Sequence, residues 1–230
     1  MILTGHQPTY LPWLGLFNKI SNSDYFVLFD TVQYLPKEWM NRNKLKSPNG
    51  SFFISVPVLD KSFLNKKIYE IKINNNIDWR RKHLKSIKLN YSSTDYFSKY
   101  FVYFEEIYSK NWLYLSDLNF EILKLLLRLL DINIKILKLS ELNIHGKKSD
   151  LILNLCKNLG AKKFIFGNQG INYANINSFR QNNIDLIFQD YKHPVYKQIY
   201  GSFISNLSVI DLLFNCGKKS LNIINKKQKI

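Results

Sequence analysis

Two short stretches gather the side chains best suited to chemistry. The first, GHQPTYLPWLGLFNKI over residues 5–20, holds a polar pair, His6 and Gln7, two aromatics, Tyr10 and Trp13, and Lys19. A histidine in such a place can take a proton from an attacking group, or donate a hydrogen bond to a ligand phosphate or carbonyl. The second stretch, FDTVQYLPKEWMNRN over residues 29–43, supplies Asp30, Gln33, Tyr34, Trp39, Asn41 and Arg42. Asp30 could orient His6 or bind a hydroxyl. Tyr34, Trp39 or Trp13 could stack on a base or sugar. Only five arginines occur in a chain that writes lysine nearly everywhere else, so Arg42 stands out. A guanidinium grips phosphate or carboxylate through two parallel hydrogen bonds, which an ammonium cannot do. A plainer reading stands beside each of these. Pro8 and Pro12 could merely shape a tight crossover with Tyr10 and Trp13 in the core, and Arg42 could pair with Glu38.

These residues have to be held by strands and helices. Ile2-Leu3 up to Gly5-His6 reads as a short buried strand, followed by a helix with Pro12 in its first turn. YFVLFD, 25–30, is a second strand, and the two strand ends should be neighbours, bringing His6 and Asp30 to one cleft at a sheet edge. Strands are expected at 52–58 and 67–73, with a polar loop at 60–65 between them. The middle of the chain reads as three helices, near 78–90, 95–109 and 113–130, the second capped by Ser93-Thr94-Asp95. The charges of the third, Asp117, Glu121, Lys124 and Arg128, fall on one face, as in an amphipathic helix and not a membrane span. A strand follows at 134–139, then a helix capped by Ser149-Asp150 and stopped at Gly160. Further strands at 163–166 and 184–188 alternate with helices near 173–182 and 207–215. The expected architecture is α/β, a mostly parallel sheet with helices on both faces and a helical insertion at about 78–130. It makes one domain over 1–217, with a basic, frayed tail at 218–230.

Three further segments carry weaker signals. Arg80-Arg81-Lys82-His83 is a basic helix start, opposed to the helix dipole, though a solvated face would explain it. Gly167 and Tyr173 lie in a glycine-containing loop after a strand, where backbone can approach a ligand. In LSVIDLLFN, 207–215, Asp211 and Asn215 sit one turn apart on an apolar helix. Buried polar groups need partners, and the loop of 30–42 is the expected one, with the pair closing the site or supporting Arg42.

Composition narrows the field. The net charge is +16, but Lys, Asn and Ile fill 80 of 230 positions, which is what A/T-rich codons write. Charge alone is therefore a poor argument for nucleic acid. Cys156 and Cys216 form no CxxC pair, and the four histidines are scattered without HxxxH, so neither a zinc motif nor a disulfide scaffold is indicated. The absence of GxSxG, Walker and GxGxxG patterns argues against serine hydrolases, P-loop enzymes and Rossmann dehydrogenases. No metal or cofactor is called for. The chain opens without a secretory pattern, and reads as cytoplasmic with no stable membrane insertion.

The opening HQPTYLPWLG with Lys19, then Asp30, Gln33, Tyr34, Trp39, Asn41 and Arg42 in a D-x-x-Q-Y and W-x-N-R pattern, resembles the WbqC-like family. The likeness continues through Gly160-Ala161, Phe166-Gly167 and Gly170 with Tyr173, and ends in LSVIDLLFNCG at 207–217. It implies a place in bacterial surface-polysaccharide (O-antigen) biosynthesis, as a transferase moving an acyl or amino-acyl group onto a nucleotide-linked amino sugar. The implied partners are that sugar and an activated donor, an aminoacyl-tRNA being one candidate. His6 would be the base, Asp30 would orient it, and Arg42 and Lys19 would hold phosphates. The competing reading is a non-catalytic nucleotide- or nucleic-acid-binding module. Nucleotidyltransferases begin similarly, but their paired histidines at the helix start are missing here, with Trp13 and Leu14 in that stretch.

Overall fold

A computed structural model describes residues 1–59 and 66–226; the loop expected at 60–65 lies outside them. Five parallel strands form the sheet: β1 (Ile2–His6), β2 (Tyr25–Leu28), β5 (Lys135–Lys138), β6 (Lys163–Phe166) and β7 (Asp185–Phe188). Their spatial order is β5-β2-β1-β6-β7. All four pairings are parallel, with His6 opposite Leu28 and Thr4 opposite Ile165. The chain builds outward from β1 to β2 and β5, then crosses back to lay β6 and β7 on the other side. The order therefore reverses between β1 and β6, the place where open parallel sheets hold ligands beyond the strand ends.

Successive side chains of a strand point to opposite faces, and two cores result. Leu3, Val27, Phe164 and Phe166 pack on one face against α5 (Lys148–Leu159) and α6 (Ile176–Gln181). Phe26 and Leu28 pack on the other against α1 (Leu14–Ser21) and the middle helices α2 (Trp79–Tyr91), α3 (Phe97–Ser109) and α4 (Leu115–Leu129). Residues of α7 (Val209–Cys216) and α8 (Ser220–Asn225) belong to this second core as well. Among the described residues no helix is long and apolar enough to cross a membrane.

The three middle helices, the α/β class and the two-faced packing agree with the sequence reading. Other expectations need correction. Residues 42–55 form an antiparallel hairpin, β3 (Arg42–Ser47) and β4 (Gly50–Ser55), so Arg42 begins a strand and does not end a loop. Residues 67–73 form no strand: a 3-10 turn occupies Ile68–Glu70 and only isolated bridges flank it. Its alternation of apolar residues was imperfect, and the turn buries Ile68, Ile71 and Ile73 without one. The tail is ordered further than expected, because α8 buries Ser220 and Ile224. The Ser93–Asp95 cap is absent too: the Thr94 hydroxyl donates back to the Tyr91 carbonyl at 2.7 Å.

Candidate functional site

The carboxyl end of β1 is where the sheet opens. The Ile2 and His6 carbonyls accept hydrogen bonds on the β2 side, from Asp24 N at 2.9 Å and Phe29 N at 2.8 Å, while Met1 accepts from Lys163 N on the β6 side. Alternation then turns the Gly5 carbonyl toward β6. The β1–β6 register ends at Thr4–Ile165, and the Gly5 oxygen is met instead by Lys19 Nζ, at 2.9 Å. Lys19 reaches it from the last turn of α1 and is only 3% exposed. A side-chain ammonium thus replaces a ladder N–H where the two strands part. Lys19 pairs with no carboxylate among the described residues. Removal from water pulls its pKa down to about 7.

His6 lies beside it. Its Nδ1 is 2.8 Å from the Gln7 carbonyl, which can only accept, so Nδ1 carries the hydrogen and Nε2 keeps a free lone pair. The Thr9 hydroxyl fixes the same turn by donating to that carbonyl at 3.1 Å. Burial, and then the Lys19 charge, pull the imidazole down to about 4 against the effect of the Gln7 bond, so it is neutral near pH 7. Close packing sets the spot: a Cβ on Gly5 would come within 2.3 Å of the Phe29 ring. Across the gap, β6 ends at Phe166 and Gly167 starts the 3-10 turn Asn168–Asn172. Tyr173, 43% exposed, rests edge-on against Phe166. The structure brings His6 and Lys19 together here, with Gln7 next in the chain and Gly167 following β6 across the gap; Tyr173 packs with Phe166 on the other face of the sheet.

Asp30 does not join His6. Its carboxylate accepts from the Ser140 N–H at 2.9 Å and the Ser140 hydroxyl at 2.5 Å, tying the end of β2 to the turn after β5. Neither strand is at an edge of the sheet, since β1 is central and β2 is its inner neighbour. Tyr10 is core: fully buried, its hydroxyl donates to His83 Nδ1 at 2.8 Å and receives one from Tyr108. His83 Nε2 in turn donates to the Ser55 carbonyl at 3.1 Å. The basic helix start thus buries its histidine, while Arg81 pairs with Asp78 and Arg80 reaches the Lys110 carbonyl. Trp13 lies edge-on to Tyr191, 5.4 Å between ring centres, and folds over its own helix. A Cβ at Gly15 would meet its ring at 2.4 Å, which is why glycine stands there.

The second stretch divides. Tyr34 is buried. Gln33 is exposed and bridges to Lys67, and Asn41 donates to the Val56 carbonyl at 2.9 Å. Arg42 donates to the Lys37 carbonyl and lies over the Phe53 ring, not against Glu38. Trp39 is exposed beside it. The two helix residues take partners elsewhere. Asp211 accepts from Tyr196 at 2.8 Å and Tyr91 at 3.0 Å, and Asn215 accepts from the Ile199 N–H and donates to the Asp211 carbonyl. Both serve the coil of 190–206 and not the loop of 30–42, because that coil crosses their end of α7.

Three buried residues that hold the site escaped the sequence reading. Asn43 donates to the Tyr10 and Leu11 carbonyls at 3.2 and 2.7 Å, fixing the loop after β1 where Leu11 takes φ of 45°. Gln189, just past β7, donates to the Gly15 carbonyl and to Asn18 Oδ1. Asn18 completes that chain with Asn225 of α8. The available signal was polarity at a core register, since Asn18 and Lys19 fall on buried positions of α1. Among the described residues no group of three or more His, Cys, Asp or Glu is placed to hold a metal.

The fold is a doubly wound α/β sheet whose strand order reverses between β1 and β6, the place where open parallel sheets hold ligands. The WbqC-like protein family model matches residues 7–223, and the chain belongs to that family. It is 31% identical over 216 residues to the uncharacterized protein Rv1507c of Mycobacterium tuberculosis, with 93% of each chain covered. No solved structure gives a significant match.

Proposed function

We propose that this protein is a transferase which binds a nucleotide-linked amino sugar at the parting of β1 and β6 and acylates its amine, in the assembly of a bacterial surface polysaccharide. One observation carries the reading: a buried, acid-free ammonium, Lys19, beside a neutral imidazole, His6, at the switch point of a parallel sheet. Burying a cation without a counter-charge is costly unless a bound anion offsets it, and a diphosphate is such an anion. Its charge would raise both pKa values, bringing His6 into the range of a general base.

In the step itself the sugar nitrogen attacks the acyl carbon. The C–N bond forms and the bond from acyl carbon to leaving group breaks. His6 Nε2 takes the proton shed by nitrogen and returns it to the departing group. Asp30 has no place in this step, since both its oxygens are committed to Ser140. The polysaccharide setting is what the resemblance to the WbqC-like family implies, and it is part of the proposal.

The test is the small molecule retained by the purified protein, released by denaturation and read by mass spectrometry. A nucleotide-linked amino sugar is expected. Retention of RNA with no nucleotide-sugar would overturn the reading in favour of a nucleic-acid-binding module.

A further inference from the structure

The hairpin presents an outward face that the Lys19 site does not use. Along β3 the basic residues Arg42, Lys44 and Lys46 alternate with the inward Asn43 and Leu45. Lys46 is covered, with its Nζ donating to Gln198 Oε1 and the Ser202 carbonyl. Arg42 and Lys44 are half-buried against Phe53. Phe53, the cross-strand partner of Lys44, is 49% exposed, and Trp39 is 42% exposed. Their rings stack at 6.1 Å and 29°. The Arg42 guanidinium lies 4.7 Å and the Lys44 ammonium 5.2 Å from the centre of the Phe53 ring.

Neither cation forms an ion pair among the described residues, and Arg42 Nε is buried without a hydrogen-bond partner. The step is also anchored: Arg42 donates to the Lys37 carbonyl, and the Trp39 carbonyl accepts from Tyr10 N at 3.1 Å. Two exposed rings held in place beside two unneutralised cations form the arrangement on which unpaired bases stack while phosphates meet charge. Exposed stacking rings suit a strand running across them better than a single nucleotide needing enclosure.

We propose that Trp39, Phe53, Arg42 and Lys44 form a binding platform for single-stranded nucleic acid, separate from the Lys19 site. Trp39 is the one exposed tryptophan of four, so its fluorescence reports on stacking directly. The experiment titrates the full chain with an unstructured 12-nucleotide RNA, and with uridine monophosphate, at several KCl concentrations. Expected are quenching of Trp39 and a tighter hold on the 12-mer than on the mononucleotide. Stacking contributions predict about a tenfold loss of affinity for Trp39→Ala or Phe53→Ala. Lys44→Gln should lower the slope of log affinity against log salt by about 0.7. Melting temperatures of these surface variants should match the parent.

Equal affinity for the mononucleotide, binding unaffected by Trp39→Ala, or no binding at 50 mM salt would overturn the platform. So would a dimer of the chain that Phe53→Ala dissociates, since the face would then be a self-association surface. Lys19→Met should leave the RNA affinity, its salt slope and the Trp39 quenching unchanged, so failure here and failure of the Lys19 reading are told apart.

Discussion

His83 shows how much of this molecule rests on neutral, fully bonded polar groups. Burial pulls it to about 4, below the unfolded value of 6.5, so between those values the unfolded chain binds the extra proton. Stability is full above pH 6.5 and is lost as pH falls toward 4, by roughly 3 kcal/mol for this group alone. His6 acts in the same direction. Lys19, lowered from 10.5 to about 7, adds stability as pH rises from 7 toward 10.5, because there the unfolded chain holds the proton that the folded one has shed. Urea unfolding from pH 4 to 10 should show stability climbing through both windows, and His83→Gln should remove much of the acid limb. A flat profile below pH 6.5 would mean that His83 is protonated in the fold. The sequence singled out His6 and Lys19 but misjudged Tyr10, Trp13 and Asp30. An aromatic in a proline-rich turn looks exposed, and only the arrival of α2 and α3, some seventy and a hundred residues on, buries Tyr10 against His83 and Tyr108.

At the scale of elements, α7 holds the coil of 190–206 more than it holds the site. Asp211 is fully buried between the hydroxyls of Tyr91 and Tyr196, and burial raises its pKa. Asp211→Ala would strand both hydroxyls and remove two charge-assisted bonds, a loss of about 3 kcal/mol. Amide exchange should then accelerate at 196–204, with the sheet amides keeping their protection relative to the new global stability. Uniform acceleration across the chain would instead make Asp211 part of the global core. The apolar spacing of LSVIDLLFN made this helix legible, and the need of Asp211 and Asn215 for partners was legible with it. Which partners they took was not, because residues 190–206 carry no periodicity from which to place them. The hairpin was missed for a related reason. Its strand β3 reads R-N-K-L-K-S, polar at five of six positions, and is defined by its pairing with β4 more than by its own hydrophobicity.

For the whole molecule, alternation of strands and helices gave the parallel α/β class, and β1 beside β2 followed from short connections. The reversal between β1 and β6 could not be read, since nothing local records on which side of β1 the chain returns after β5. Yet that reversal makes Lys19 intelligible, by leaving the Gly5 carbonyl without a ladder donor, whose place the Lys19 ammonium takes. The measurement bearing most directly on this account is Lys19→Met, compared with the parent in thermal melting and in calorimetric titration with UDP- and dTDP-linked amino sugars. Exchanging a buried, acid-free ammonium for an apolar isostere should raise the stability of the unliganded protein by about 1–3 kcal/mol. Nucleotide-sugar affinity should fall at least tenfold, as expected for loss of a charge-assisted phosphate contact. A less stable variant that binds these ligands as the parent does would contradict the account, and would leave Lys19 as a prop for the Gly5 carbonyl alone.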